Sequence, residues 1–218
     1  MERFIEHPAI TPLAVLRVEN LFFSYPQRPL FTDWSARIAS GVTLIQGDDG
    51  SGKTTLLRLL AGELPAHAGR LQINGIQLDT QPLAYRQQVF WVDPRSEAFD
   101  QISATDYFNT LAHQYPGFNA HLLAELTDGL SLEPHLSKPL YMLSTGSKRK
   151  VWLAAAFASG AAVTLLDSPF AALDAASINF VLELLESAAD HPARAWIVAD
   201  YAAPGEVPLA TVIDLLST

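Results

Sequence analysis

The sequence contains no cysteine, which excludes disulfides, thiolate nucleophiles and cysteine-ligated metals. Charge is scarce as well. Only 17% of the 218 residues are charged, against about a quarter in an average soluble domain, and so little charge implies a surface partly covered by other proteins. The balance is acidic, with 23 Asp and Glu against 14 Lys and Arg for a net charge of -9. That disfavours nucleic acid as a partner, because the phosphate backbone rewards a basic field. No apolar run is long enough to cross a bilayer comfortably. The longest charge-free stretch, from Val151 to Leu166, has sixteen residues and is broken by Gly160, whereas a spanning helix needs about 20. The start, Met1 to Pro8, carries no signal-like apolar region. No internal repeat or low-complexity linker is visible, and the length suits one large domain or two small ones.

What is present is concentrated in one stretch. Gly47-Asp-Asp-Gly-Ser-Gly-Lys-Thr54 follows a predicted apolar strand from Val42 to Gln46. It leads into a predicted helix from Thr54 to Leu60, with Leu56, Leu57, Leu59 and Leu60 inward. Strand, glycine-rich loop and helix is the context in which such a loop holds phosphates. Gly47, Gly50 and Gly52, with Ser51 between them, let backbone N–H groups close on an anion, and the helix N-terminus adds its dipole. Lys53 reaches the β and γ phosphates, Thr54 offers a hydroxyl to magnesium, and Thr55 lies at the edge of the same cluster. Asp48 and Asp49 are out of character, since carboxylates beside a triphosphate repel it unless they point outward. Asp167 ends an apolar strand predicted from Val163 to Leu166. There it either holds magnesium through water or caps the turn before Pro169. Tyr25, after a strand predicted from Val15 to Phe23, either stacks on an adenine ring or packs a turn with Pro26.

Further strands are expected from Arg70 to Ile73, Val89 to Val92, Ala195 to Val198 and Val212 to Leu216, with a turn at Asn74-Gly75. A helix is expected to start near Ser147 and another to run from Ala175 to Ala189. Residues 95–141 differ in character, reading as short helices punctuated by Pro116-Gly117, Gly129 and Pro134.

Leu143-Ser-Thr-Gly-Ser-Lys-Arg-Lys150, Leu165-Leu-Asp-Ser-Pro-Phe170 and Ala172-Leu-Asp174, taken in order with the phosphate loop, resemble the nucleotide-binding domain of ABC transporters. The resemblance runs from Tyr25 to Asp200. It implies an α/β fold: a P-loop NTPase core with an antiparallel β subdomain and an inserted α-helical subdomain. The whole chain, 1–218, would be a single ATP-binding domain with the helical part at 95–141. It also implies ATP and Mg2+ as ligands, a head-to-tail pairing with a second cassette subunit, and transmembrane permease subunits. That would place the chain in the cytoplasm, peripheral on the inner face of the cell membrane. In that pairing Ser144 and Gly146, within Ser144-Thr-Gly-Ser147, would contact the γ-phosphate of the partner's ATP, and Asp174 would sit in a loop crossing the interface. Asp174 also reads as a plain helix N-cap. Lys148, Arg149 and Lys150 read either as a solvated patch or as neighbours of that anion. Phe99, Tyr107 and Phe108 lie where a membrane subunit would dock, although aromatic residues at helical spacing also make local core.

The same resemblance exposes departures. Thr145 stands where the family usually has glycine, and Ser147 where it has glutamine. The catalytic carboxylate after Asp167 is replaced by Ser168, the γ-phosphate histidine aligns with Ala199, and the glutamine opening the helical region aligns with Asp93, which remains a candidate magnesium ligand. A serine hydroxyl is too weak a base to polarise water, and alanine supplies no donor to the transferring phosphoryl group. The expectation is an ATP-binding subunit that hydrolyses poorly and lends its signature to a competent, non-equivalent partner. The alternative is a homodimeric, ATP-gated regulatory or scaffolding module with little or no ATPase activity.

Overall fold

A computed structural model describes residues 14–215. The stretch Met1 to Pro8 and the end of the last expected strand at Leu216 lie outside the described residues. In chain order the elements are β1 (Leu16–Tyr25), β2 (Arg28–Ile38), β3 (Gly41–Gln46), α1 (Lys53–Leu60), β4 (Ala68–Ile73), β5 (Ile76–Gln77), α2 (Pro82–Gln88) and β6 (Val89–Phe90). They continue with α3 (Ala104–Gln114), α4 (Ala120–Gly129), α5 (Thr145–Ala158), β7 (Val163–Asp167), α6 (Ala175–Ala189), β8 (Ala195–Asp200) and β9 (Thr211–Asp214).

The strands form two sheets. One is antiparallel, in the order β2-β1-β4-β5, and the other is parallel, in the order β6-β7-β8-β3-β9. The central parallel strands β3, β7 and β8 are buried along nearly their whole length, as expected of strands covered on both faces. Helix α1 lies between the sheets. Its Leu56, Leu57, Leu59 and Leu60 are wholly buried against Leu16, Leu21 and Ile73 of the antiparallel sheet and Leu165 and Ile197 of the parallel one. The other face of the parallel sheet is covered by α3, α4, α5 and α6. The α/β architecture with an antiparallel sheet and inserted helices is therefore the one expected.

The charge-free run from Val151 is accounted for by packing. Every residue of α5 from Val151 to Ala158 is buried, so the run is the interior helix of a domain. Among the described residues no helix is long and apolar enough to cross a membrane. Tyr107 and Phe108 belong to the same core. Tyr107 is wholly buried, with its ring 4.8 Å from that of Phe99 and 4.9 Å from that of Trp152. The aromatic group therefore holds α3 to α5 and does not form an exposed docking patch.

Three elements were not expected from sequence, the two-residue strand β5 and two longer ones. Strand β2 is an edge strand carrying Arg28, Pro29, Asp33 and Arg37, the polar and proline content that natural edges use to avoid mispairing. Helix α2 is a short helix with Pro82 in its first turn and Tyr85 as its buried residue, too brief for a periodic signal. Helix α5 begins at Thr145 rather than Ser147, because the Ser144 hydroxyl accepts from Ser147 N at 3.1 Å and caps it. Strand β8 runs two residues beyond Val198, to Asp200, and this shift bears directly on the site.

Candidate nucleotide site

The C-terminal ends of β3 and β7 open onto one cleft, where parallel α/β sheets place their ligands. The turn from β3 into α1 is closed by Gly52, whose φ of 107° lies in the left-handed region that side chains rarely adopt. This geometry folds Lys53 inward. The residue is 8% exposed, and its ammonium donates to the carbonyls of Gly47 and of Asp48, the latter at 3.0 Å. Thr54 Oγ1 donates to Asp167 Oδ2 at 2.6 Å, joining the loop to the end of β7 across 113 positions of sequence. Tyr25, at the end of β1, is half exposed, and its hydroxyl lies 3.2 Å from Thr55 Oγ1.

These groups line a cavity of about 440 Å³ together with Gly50, Gly52, Arg28, Leu30, Arg95, Asp48, Asp49, Ser168 and Tyr201. Two observations fit it to a magnesium–triphosphate. Lys53 is a buried cation whose acceptors are backbone carbonyls of the loop itself. Thr54 and Asp167 bring two hard oxygen ligands together, the donor type that magnesium takes. Among the described residues no group of three or more His, Cys, Asp or Glu is gathered to hold a metal.

Ser168 lines the cavity next to Asp167, with its hydroxyl 3.3 Å from Asp167 Oδ1. Its backbone is left-handed, with φ 46°, and is pinned from two directions. Ser168 N donates to the Ala199 carbonyl at 2.8 Å, and the Arg149 guanidinium donates to the carbonyls of Asp167 and Ser168 at 3.0 and 2.6 Å. Burial pushes the Arg149 guanidinium below its ordinary value, opposed by the negative charges of Asp167 and Asp200.

The structure moves two expected site residues out of the cavity. Ala199 is wholly buried in the core around α1 and does not line the cleft. Because β8 continues to Asp200, the side chain reaching the cavity from this strand end is Tyr201. Asp93 is turned into its own loop. It accepts from Arg95 N at 2.9 Å and lies 3.6 Å from the Arg95 guanidinium, and Arg95 is the residue that lines the cavity. Asp48 and Asp49 are exposed, and Asp49 accepts from the Tyr201 hydroxyl at 2.6 Å. Tyr201, Arg95 and Arg28 were not singled out from sequence. The only local signal for Tyr201 was an aromatic residue just past a strand end.

The signature segment lies at the start of α5. Ser144 and Thr145 are exposed, and Ser144 Oγ is also 3.0 Å from Ser147 Oγ. The three following cations are each engaged within the chain. Lys148 pairs with Asp100 at 2.6 Å, Arg149 holds the end of β7, and Lys150 pairs with Asp174 at 2.7 Å. Asp174 caps α6 by accepting from Ser177 N at 2.8 Å. Its carboxyl is held well below the usual range, first by the Lys150 hydrogen bond and then by those from Ser177. A depressed carboxyl stabilises the fold above its unfolded value, and that contribution is lost only as pH falls through the lowered one. The cap therefore persists far into acid.

Gly146 is required by close approach. A Cβ at this position would lie 2.4 Å from the Ala172 carbonyl oxygen. Gly146→Ala should push the start of α5 off the 171–174 loop and destabilise the fold by about 1–3 kcal/mol, the usual cost of overpacking. Urea denaturation of the two proteins checks this.

The cleft, its lysine and its paired Thr54–Asp167 oxygens define a P-loop nucleotide-binding domain. The chain belongs to the ABC transporter family, whose model matches residues 32–171, and family membership implies ATP and Mg2+ binding at the phosphate loop. It is 32% identical over 167 residues to the cytochrome c biogenesis ATP-binding export protein CcmA of Pseudomonas syringae, covering 75% of this chain and 78% of that one. It is 30% identical over 211 residues to the taurine import ATP-binding protein TauB of Pseudomonas fluorescens, covering 94% and 78%. The solved structure of a putative ABC transporter ATP-binding protein from Pyrococcus furiosus superposes with a TM-score of 0.74 at 23% identity, covering 93% of this chain and 98% of that one. One relative is named for export and the other for import at nearly equal identity, so the likeness carries the ATP-binding module and no particular cargo.

Proposed function

We propose that this chain is the ATP-binding subunit of an ABC transporter that binds Mg-ATP firmly and turns it over slowly at its own phosphate loop. The observation that carries the reading is the contrast at the end of β7. The groups that grip a nucleotide, Lys53 and the Thr54–Asp167 pair, are assembled, while Ser168 occupies the adjacent cavity-lining position. Serine has no basicity with which to draw a proton from water near neutral pH, and a missing base costs on the order of a hundred-fold or more.

Thr54 and Asp167 would hold magnesium, which would supply charge neutralisation to the phosphates. Lys53 would neutralise the β and γ phosphates in a cleft where burial strengthens its field. Tyr25 would stack on the base at the cavity mouth. Ser144 to Ser147, of which Ser144 and Thr145 are exposed at the α5 N-terminus, would be offered to the nucleotide of a partner cassette, with Asp174 at the interface between them. The firm tie of Ser144's helix to Asp100, the β7 turn and Asp174 supports that role. It makes the signature move as one body with the cavity wall. The partner in this reading is a catalytically competent cassette, both subunits being mounted on transmembrane permeases at the inner face of the membrane.

Equilibrium binding and single-turnover hydrolysis on the purified chain test the reading together. Saturable Mg-ATP binding with little product after many minutes is the expected pair of results, and addition of a competent cassette should restore turnover at the partner's loop. Brisk hydrolysis by the chain alone, abolished by Lys53→Ala, would overturn it.

A further inference from the structure

The outer face of the antiparallel sheet carries charge in an arrangement that the fold by itself does not favour. Arg17 on β1 and Arg37 on β2 are partners in register, and Gln72 on β4 is the partner of Arg17 on its other side. Their neighbours along the strands, Leu16, Val18, Ile38, Leu71 and Ile73, are buried in the core around α1. Alternation therefore turns Arg37, Arg17 and Gln72 together to the opposite face. Like charges directly opposite each other across an antiparallel pair are destabilising. Arg17 is partly buried besides. Among the described residues neither guanidinium has an ion pair or a hydrogen bond. Glu19, the acidic residue of β1, is in register with Arg70 and pairs with neither. In a chain of net charge -9, two arginines stand side by side with no carboxylate to hold.

Arg17 and Gln72 also line a cavity of about 180 Å³ together with Asn74. Their polar heads are one guanidinium and two carboxamides, all with N–H groups to give. We propose that this face docks an acidic polypeptide segment in extended form, with one carboxylate seated in the cavity on Arg17, Gln72 and Asn74 and a second on Arg37. A guanidinium presents a planar fork that matches a carboxylate, and such charge-assisted bonds are roughly twice as strong as neutral ones. A bound carboxylate also relieves the Arg17–Arg37 repulsion. The spacing suits a chain that crosses the strands. The gap between Arg17 and Gln72 lies about one and a half strand spacings from Arg37, roughly 7 Å, which is also the repeat of alternate side chains along an extended chain. A bilayer fits less well, because lipid recognition takes a cluster of about 4–8 basic residues and the rest of this chain is acidic. The face shares no lining residue with the nucleotide cleft, so its occupant binds whether or not ATP does.

The test is fluorescence anisotropy of a labelled hexaglutamate peptide at low ionic strength, titrated with the wild-type chain and with Arg17→Gln, Arg37→Gln and Lys138→Gln. Lys138 is exposed within the inserted helical part, and its replacement changes the net charge by the same amount. The expected result is saturable binding that weakens about tenfold or more in each arginine variant, the size of one charge-assisted hydrogen bond, and is unchanged in Lys138→Gln. Arg37 is exposed, so a loss there does not come from a disturbed core. Absence of binding by the wild-type chain, or equal binding by all four proteins, overturns the proposal. An equal loss in Lys138→Gln overturns it too, by tracing the binding to net charge. So does binding to phosphatidylglycerol vesicles without binding to the peptide, which would assign the face to a membrane.

Discussion

Lys53→Ala should abolish measurable Mg-ATP binding at concentrations that saturate the wild-type chain. The side chain is buried, and its ammonium neutralises the loop from inside, holding the carbonyls of Gly47 and Asp48. Removing it has two consequences. The phosphates lose at least one charge-assisted contact, worth about 1.5–3 kcal/mol, and they then face Asp48 and Asp49 with no buried cation behind the loop. A loss on the order of a hundred-fold in affinity follows from those terms. Isothermal titration with Mg-ATP reads the effect. Lys53→Met separates its sources, because methionine keeps an apolar stem in the cavity wall without the charge. If the charge is what binds, the two variants should be equally defective. Retained ATP binding in either would show that the triphosphate is held elsewhere.

How much of this was legible beforehand depends on the range over which each feature is encoded. Helix α6 was read to its last residue because its cap, Asp174, and its apolar spacing lie within fifteen positions of each other. The phosphate loop was legible for the same reason, with strand, glycines, lysine and helix all local in sequence. Strand β2 was invisible because an edge strand is selected for charge and proline rather than for a clean alternation. The end of β8 was expected two residues too early. Apolar content marks β8 only to Val198, yet pairing with β3 carries the strand to Asp200, which turns Ala199 into the core and delivers Tyr201 to the cavity.

The use made of Lys148, Arg149 and Lys150 was beyond any local reading. Their partners lie 48, 18 or 19, and 24 positions away. Three adjacent cations look like a patch until the fold hands each one a different acceptor. The same holds for Tyr201 and Asp49, 152 positions apart. Chemistry that depends on which side chains meet across a sheet is set by topology, and single-sequence patterns carry little of it.

Ser168→Glu carries the second large expectation, a gain rather than a loss. The position lies beside Asp167 at the cavity wall, and its left-handed backbone is already fixed by Ala199 and Arg149 through main-chain groups that the substitution does not touch. Glutamate therefore meets the same backbone cost that serine does and adds a carboxylate where water would approach the terminal phosphate. General-base catalysis of this kind contributes about a hundred-fold or more, so the hydrolysis rate of the chain under saturating Mg-ATP should rise by that order, with binding affinity little changed. Ser168→Gln has the reach and hydrogen-bonding groups of glutamate without its basicity. It should bind ATP and remain slow. Phosphate-release assays on the three proteins decide the matter. A large gain in glutamate alone assigns the slow step to the missing base. A gain shared by glutamine would assign it to water positioning. No gain in either would place the deficit at the cavity's other departures, of which Asp93, locked to Arg95 and turned from the cleft, is the next to replace.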